Sequence, residues 1–234
     1  MIKRFFAVAL SVVMVICCTA CQKSYSHIEG YDDVVNARKL YASLNSASLT
    51  VTDAEKGTVT QEMNFAYDVQ DRLAYSYFGT DGEVNYYEYH NGYEYCYFDK
   101  TEWKTLTEGD ENYHFYTRMA KMSMVDEGMI FLKGESITAS EVKDSANGKI
   151  IEMTYDHKAL NSSMKNQLGL VGNLISFKVI YTLDKEGYLT KMEQIGKASR
   201  DDTQSIVTNI NYVLEITNMN DVAKIEKPEV ILES

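Results

Sequence analysis

The chain is poor in features that usually define a function or an architecture. It has 4 cysteines in 234 residues, and Cys17, Cys18 and Cys21 crowd into its beginning, which leaves Cys96 alone in the remainder. A single thiol excludes a disulfide framework, so stability has to come from a packed core. Positive charge is also scarce: 23 Lys+Arg stand against 34 Asp+Glu, a formal net charge of -11. Such a surface repels phosphate backbones, which excludes nucleic acid as a partner. The single proline, Pro228, falls in the tail. No period of about 20 to 50 residues recurs, which excludes a solenoid or propeller.

Catalytic patterns are missing as well. The histidines His27, His90, His114 and His157 form no His-Glu-x-x-His or close pair, and with Cys96 isolated there is no zinc-ligand spacing. No Gly-x-Ser-x-Gly elbow occurs. Gly196-Lys197 fails as a phosphate loop, with Lys191 where the first glycine belongs and Ala198 where a hydroxyl residue belongs. Glu108, Asp110 and Glu111 lack calcium-loop spacing and read as a solvated turn. The expectation is a protein without catalytic residues, metal or cofactor.

What is present begins at the N-terminus. Lys3 and Arg4 precede an apolar run from Phe5 to Cys18, then Thr19, Ala20 and Cys21. This is the order of a secretion signal, and the run is shorter than the ~20 apolar residues of a spanning helix. Cys18-Thr19-Ala20-Cys21 resembles a bacterial lipobox, with Cys18 where leucine is usual and Ala20 directly before the cut. The resemblance implies a signal peptide over 1–20, lipidation of Cys21, and attachment to the outer face of the cell membrane through diacylglyceryl and acyl (palmitate-type) chains, since one chain alone holds only marginally. The alternatives are modification at Cys17 or Cys18, an uncleaved anchor, or a plain Ala-x-Ala cut. Loss of Lys3 and Arg4 takes the charge from -11 to -13. Residues 21–30 then read as a lipidated tether of at most ~30 Å, and 31–234 as one domain.

Within that domain, Ala37, Leu40, Tyr41 and Leu44 have helical spacing, with Asp32 or Asp33 placed to cap. Alternating segments at 47–54, 58–68, 72–78, 83–90, 93–99 and 102–106 predict an antiparallel meander. Asn91-Gly92 signals a two-residue hairpin and Gly79-Thr80-Asp81-Gly82 a four-residue loop. These turns predict that Tyr86 faces Tyr97, Glu88 faces Tyr95, Tyr77 faces Val84 and Tyr75 faces Tyr86. Helical or irregular elements follow over 111–132, then strands at 136–143 and 149–156, a short helix over 158–168, a strand carrying Phe177, Val179, Tyr181 and Leu183, a return at 188–198, and a last strand from Ile206 to Ile216.

One predicted sheet face carries Leu73, Tyr75, Tyr77, Val84, Tyr86, Tyr93, Tyr95 and Tyr97, and shares Glu88 and His90. Four of the eleven methionines lie between 119 and 129, with Phe115, Met119 and Met122 at helical spacing. An aromatic sheet covered by adaptable methionines suits acyl chains or another apolar ligand, with Tyr75, Tyr77, Tyr86, Tyr95, Tyr97, Met119 and Met122 as ligand-binding residues. The competing possibility is an ordinary core with no cavity. Glu88 and His90 either meet a ligand head group or mark the wet end of the face. Cys96 is either a reactive thiol or a small buried hydrophobe.

The order of elements, from lipobox through N-terminal helix, tyrosine-rich meander with Asn-Gly turns, the Glu102-Trp103-Lys104 strand, helices and a returning sheet, resembles the LolA/LolB/LppX-like lipoprotein superfamily over about residues 31–228. The resemblance implies an α+β fold: a curved antiparallel sheet, an incomplete β-barrel, with helices packed on its concave side. It also implies a non-enzymatic role binding a lipid or other apolar ligand. A tether at Cys21 suits an anchored acceptor or holder better than a shuttling carrier. A module that binds an envelope protein and has no ligand cavity is the alternative.

Overall fold

The computed structural model describes residues 25–164, 173–199 and 207–230. The signal segment, Cys21, Leu168 and Ile206 lie outside the described residues. Helix α1 (Tyr31–Ala42) is followed by β1 (Ser46–Asp53), β2 (Thr58–Tyr67), β3 (Leu73–Thr80), β4 (Asn85–Asn91), β5 (Tyr95–Phe98) and β6 (Trp103–Leu106). Helix α2 (Tyr113–Met124) leads through short 3-10 turns at Glu127–Met129 and Gly134–Ser136 into β7 (Ile137–Ser145) and β8 (Gly148–Tyr155). Helix α3 (His157–Met164) precedes β9 (Asn173–Asp184), β10 (Leu189–Ser199) and β11 (Val207–Thr217).

The strands form one antiparallel sheet in the order β6-β5-β4-β3-β2-β1-β11-β10-β9-β8-β7. The two meanders join where β1 pairs with β11, Leu49 opposite Ile216. Among the described residues β6 and β7 have no outer partner, so the sheet is open and does not close into a barrel. Register shifts at Val51/Thr52, Ile137/Ala139 and Lys197/Ala198 are the irregularities that bend a sheet, consistent with curvature.

Side-chain alternation decides which face is dry. Ala47, Leu49 and Val51 of β1, Met63 and Phe65 of β2, and Val179, Tyr181 and Leu183 of β9 belong to one buried cluster. Val34, Ala37 and Tyr41 of α1 join it. The expected cap at Asp32 or Asp33 is not made: Gly30 is the N-cap at φ 73°, and Asp33 instead holds Lys149 Nζ at 3.0 Å. Gly30 is required twice over, because a Cβ there would also strike Ile151 and Val142.

The segment between α2 and β7 lies beside α1 as a strap. Tyr41 donates to Met124 O, Arg38 Nε donates to Glu127 O at 2.9 Å, and Tyr181 donates to Phe131 O at 2.6 Å. Residues 25–30, expected to be part of a tether, are folded. Ile28 N donates to Tyr25 O, Tyr31 N donates to Ile28 O, and the Tyr25 ring packs 5.4 Å from Tyr31 and over Gly134.

Candidate functional site

The tyrosine face exists, with a different register. In β3 and β4, Tyr75 faces His90, Tyr77 faces Glu88 and Gly79 faces Tyr86. In β4 and β5, Glu88 faces Tyr97 and His90 faces Tyr95. Every predicted pairing across these turns is therefore displaced by an even number of residues, which preserves the faces. The reason lies in the loops: Thr80 pairs with Asn85, so the first loop is Asp81-Gly82-Glu83-Val84. In the second, Asn91 Oδ1 accepts from Tyr93 N at 2.9 Å and Glu94 N at 2.8 Å, centring the turn on Gly92-Tyr93. Val84 and Tyr93 thereby leave the wall for loops; Tyr93 is exposed, with the Arg72 guanidinium 4.0 Å from its ring centroid.

Of the wall, Tyr75, Tyr77 and Tyr95 are buried while Tyr86 and Tyr97 are half-buried. Helix α2 covers one end: Tyr116 stacks on Tyr95 at 5.2 Å and reaches Tyr97 at 6.4 Å, and Tyr113 hydroxyl lies 3.1 Å from His90 Nε2. Met124 and Met129 are buried, Met122 is half-buried, and Met119 (41%) and Phe115 (48%) are exposed.

His90 does not mark a wet end of the face. It is buried, stacked on Tyr75 at 5.6 Å, with Nδ1 2.9 Å from Leu73 O and 3.0 Å from Gly92 N. Burial lowers its pKa, which keeps it neutral. Cys96 is buried on the opposite face, 3.5 Å from Thr105 Oγ1.

Glu88 sits in the middle of the wall. Desolvation pushes its carboxyl up to about 7, opposed only by a hydrogen bond from Tyr95. The same burial raises the hydroxyl pKa values of Tyr75, Tyr77 and Tyr95, with the Glu88 charge adding to each. Around it the hydrogen bonding is incomplete. Among the described residues the buried side-chain polar atoms without a partner are Gln61 Oε1, Tyr75 OH, Tyr77 OH and Ser136 Oγ. The first three lie on the tyrosine face, since Gln61 faces Gly79 and Met63 faces Tyr77. Gly79 has a spatial reason to be glycine: the Tyr77 ring folds over it, and a Cβ would collide with the hydroxyl.

Gln61 and the α2 tyrosines Tyr113 and Tyr116 were not among the predicted site residues. A signal for Gln61 was present, because it interrupts the apolar alternation Val59, Met63, Phe65, Tyr67. No periodicity could bring α2 back over β5.

A separate cleft of about 520 Å³ lies between α1 and the β7–β8 and β9–β10 turns, lined by Asp33, Leu40, Asp144, Lys149, Asp184 and Glu186 among others. Of its two lysines, Lys149 is paired with Asp33. Among the described residues no group of His, Cys, Asp or Glu could hold a metal ion, and no helix is long and apolar enough to cross a membrane.

No protein-family model matches the chain, and no curated protein matches it in sequence. Among solved structures it is similar to LprF from Mycobacterium bovis, at 12% identity and a TM-score of 0.42, over 86% of this chain and 96% of that one. At that distance, function is read from the chain's own residues.

Proposed function

We propose that this chain is a membrane-anchored, extracytoplasmic and non-enzymatic lipoprotein that holds a lipid or other apolar ligand against the tyrosine face of a curved sheet, with its helices on the concave side. Cys18-Thr19-Ala20-Cys21 supports the anchor. With Tyr25 already folded, Cys21 lies at most about 14 Å of extended chain from the domain, which keeps any pocket near the bilayer.

The observation that carries the ligand is the incompletely covered end of the wall. Half-buried Tyr97 touches Tyr116, and Tyr116 touches Phe115 at 5.5 Å, so apolar surface runs from buried Tyr95 out to Phe115, which is 48% exposed. Contiguous exposed apolar surface marks a binding region. A second reading, an envelope protein as the partner, draws on the same exposed Phe115, Tyr116 and Met119, residue types that interfaces favour.

The deciding experiment is native mass spectrometry of the domain from Gln22 onward, purified gently from an envelope fraction, with organic extraction of bound material. Co-purifying lipid or another apolar molecule is the expected result. A ligand-free protein that also ignores fluorescent fatty-acid probes overturns the ligand. A stoichiometric protein recovered from membrane extract would then support the second reading.

A further inference from the structure

We infer that the tyrosine face of β2–β4 is a binding site for a primary ammonium group, with Glu88 as its counter-ion and Tyr75, Tyr77 and Gln61 as its hydrogen-bond acceptors. The inference rests on the ligand reading above for the apolar part of the molecule, and adds its polar end.

The site is built and unfilled in its hydrogen bonding. Tyr75 is 0% exposed, Gln61 2% and Tyr77 7%, yet Tyr75 OH, Tyr77 OH and Gln61 Oε1 have no partner among the described residues. Buried polar atoms of this kind are costly to leave unmade, and each of the three can accept, so three on one face point to a ligand that donates to them. On the same face, opposite Tyr77 on the neighbouring strand, stands the Glu88 carboxyl, for which no ion pair is made among the described residues. Opposite Glu88 are Tyr77 from β3 and Tyr97 from β5, with Lys104 beyond Tyr97 on β6; Tyr75 and Tyr95 flank it opposite His90, Tyr86 and His90 lie on its own strand, and from α2 Tyr113 packs on His90 and Tyr116 on Tyr95. His90 is held neutral by burial, and Lys104 is occupied by Glu102 and by Asp99 at 3.5 Å.

The chemistry of the ligand follows from what is missing. An anionic head would be repelled by Glu88. A neutral hydroxyl would satisfy one acceptor and leave the carboxyl unpaired. A primary ammonium brings three N–H donors and a full charge, and the surrounding ring faces attract a cation. Half-buried Tyr86, Glu88 and Tyr97 mark the way in, next to the uncovered apolar surface.

The test is calorimetric titration of the domain from Gln22 onward, near pH 8, with octylammonium, octanol, octanoate and ethylammonium. Octylammonium is expected to bind about tenfold tighter than octanol, with octanoate weakest. In Glu88→Gln, octylammonium should fall to the octanol level while octanol affinity is unchanged, which also shows that the variant is folded. Tyr77→Phe should lose part of the ammonium preference and leave octanol binding intact. Equal binding of octanol and octylammonium by the unaltered protein overturns the ammonium site and leaves the apolar-ligand reading standing. Ethylammonium bound without octanol supports the site as one for a free amine and overturns the apolar reading. No binding by any probe overturns both.

Discussion

Glu88 shows how one buried carboxyl can carry an energetic cost. A carboxyl enclosed by tyrosine rings loses hydration and gains one hydrogen bond, from Tyr95. Its folded value of about 7 lies above the ordinary 4.5, so the folded chain holds the proton more tightly than the unfolded chain does. The contribution to stability is full below the unfolded value, falls as pH rises from there through about 7, and is gone above that, a change of up to about 3 kcal/mol. Urea unfolding near pH 5 and pH 8 should therefore show a loss at the higher pH that is absent in Glu88→Gln, which becomes the more stable of the two near pH 8. Parallel midpoints for both proteins would remove Glu88 as the cause.

At the scale of the element, the β4–β5 hairpin shows why a strong turn signal located the turn but misplaced its centre. Asn-Gly predicts both residues at the tip, but pairing His90 with Tyr95 leaves Asn91 opposite Glu94 and moves the tip one residue onward. Asn91 then works through its side chain, which accepts two backbone amides, while Gly92 takes a φ of 95°. Asn91→Ala should lose about 1 kcal/mol in urea unfolding. The His90–Tyr95 pairing should persist, seen as unchanged amide exchange in β4 and β5, because Tyr75 and Tyr113 grip His90 independently of the turn. A slipped register in the variant would mean that the turn, and not the packing, sets the alignment.

Over the whole molecule, the strap between α2 and β7 is held to helix α1 and to β9 of the second meander. Among its polar anchors are Tyr41 to Met124, Arg38 to Glu127, and Tyr181, which donates to Phe131 and meets Tyr155 OH at 2.8 Å. Tyr181→Phe leaves Phe131 O and the Tyr155 hydroxyl without that partner in a dry place. It should cost about 1–3 kcal/mol. Hydrogen exchange should speed up over 127–136 while the sheet amides stay protected. Uniform loss of protection would mean that strap and sheet open as one unit.

Most of the architecture was legible along the chain. Val179, Tyr181 and Leu183 alternate because a strand has two faces, and Ala37, Tyr41 and Leu44 recur because a helix has one apolar stripe. The two faces of the tyrosine meander were also correct, since the slips in pairing were even. The basic, apolar and small-residue order before Cys21 is likewise a property of sequence alone. Only the tertiary structure decided that β1 meets β11 and leaves the sheet open, that α2 returns to stack Tyr116 on Tyr95, and that Gln61, Tyr75 and Tyr77 share the face of Glu88 with bonds unmade among the described residues. Periodicity reports how each segment divides into wet and dry sides; which dry sides meet, and which polar atoms are left between them, depends on contacts far apart in sequence.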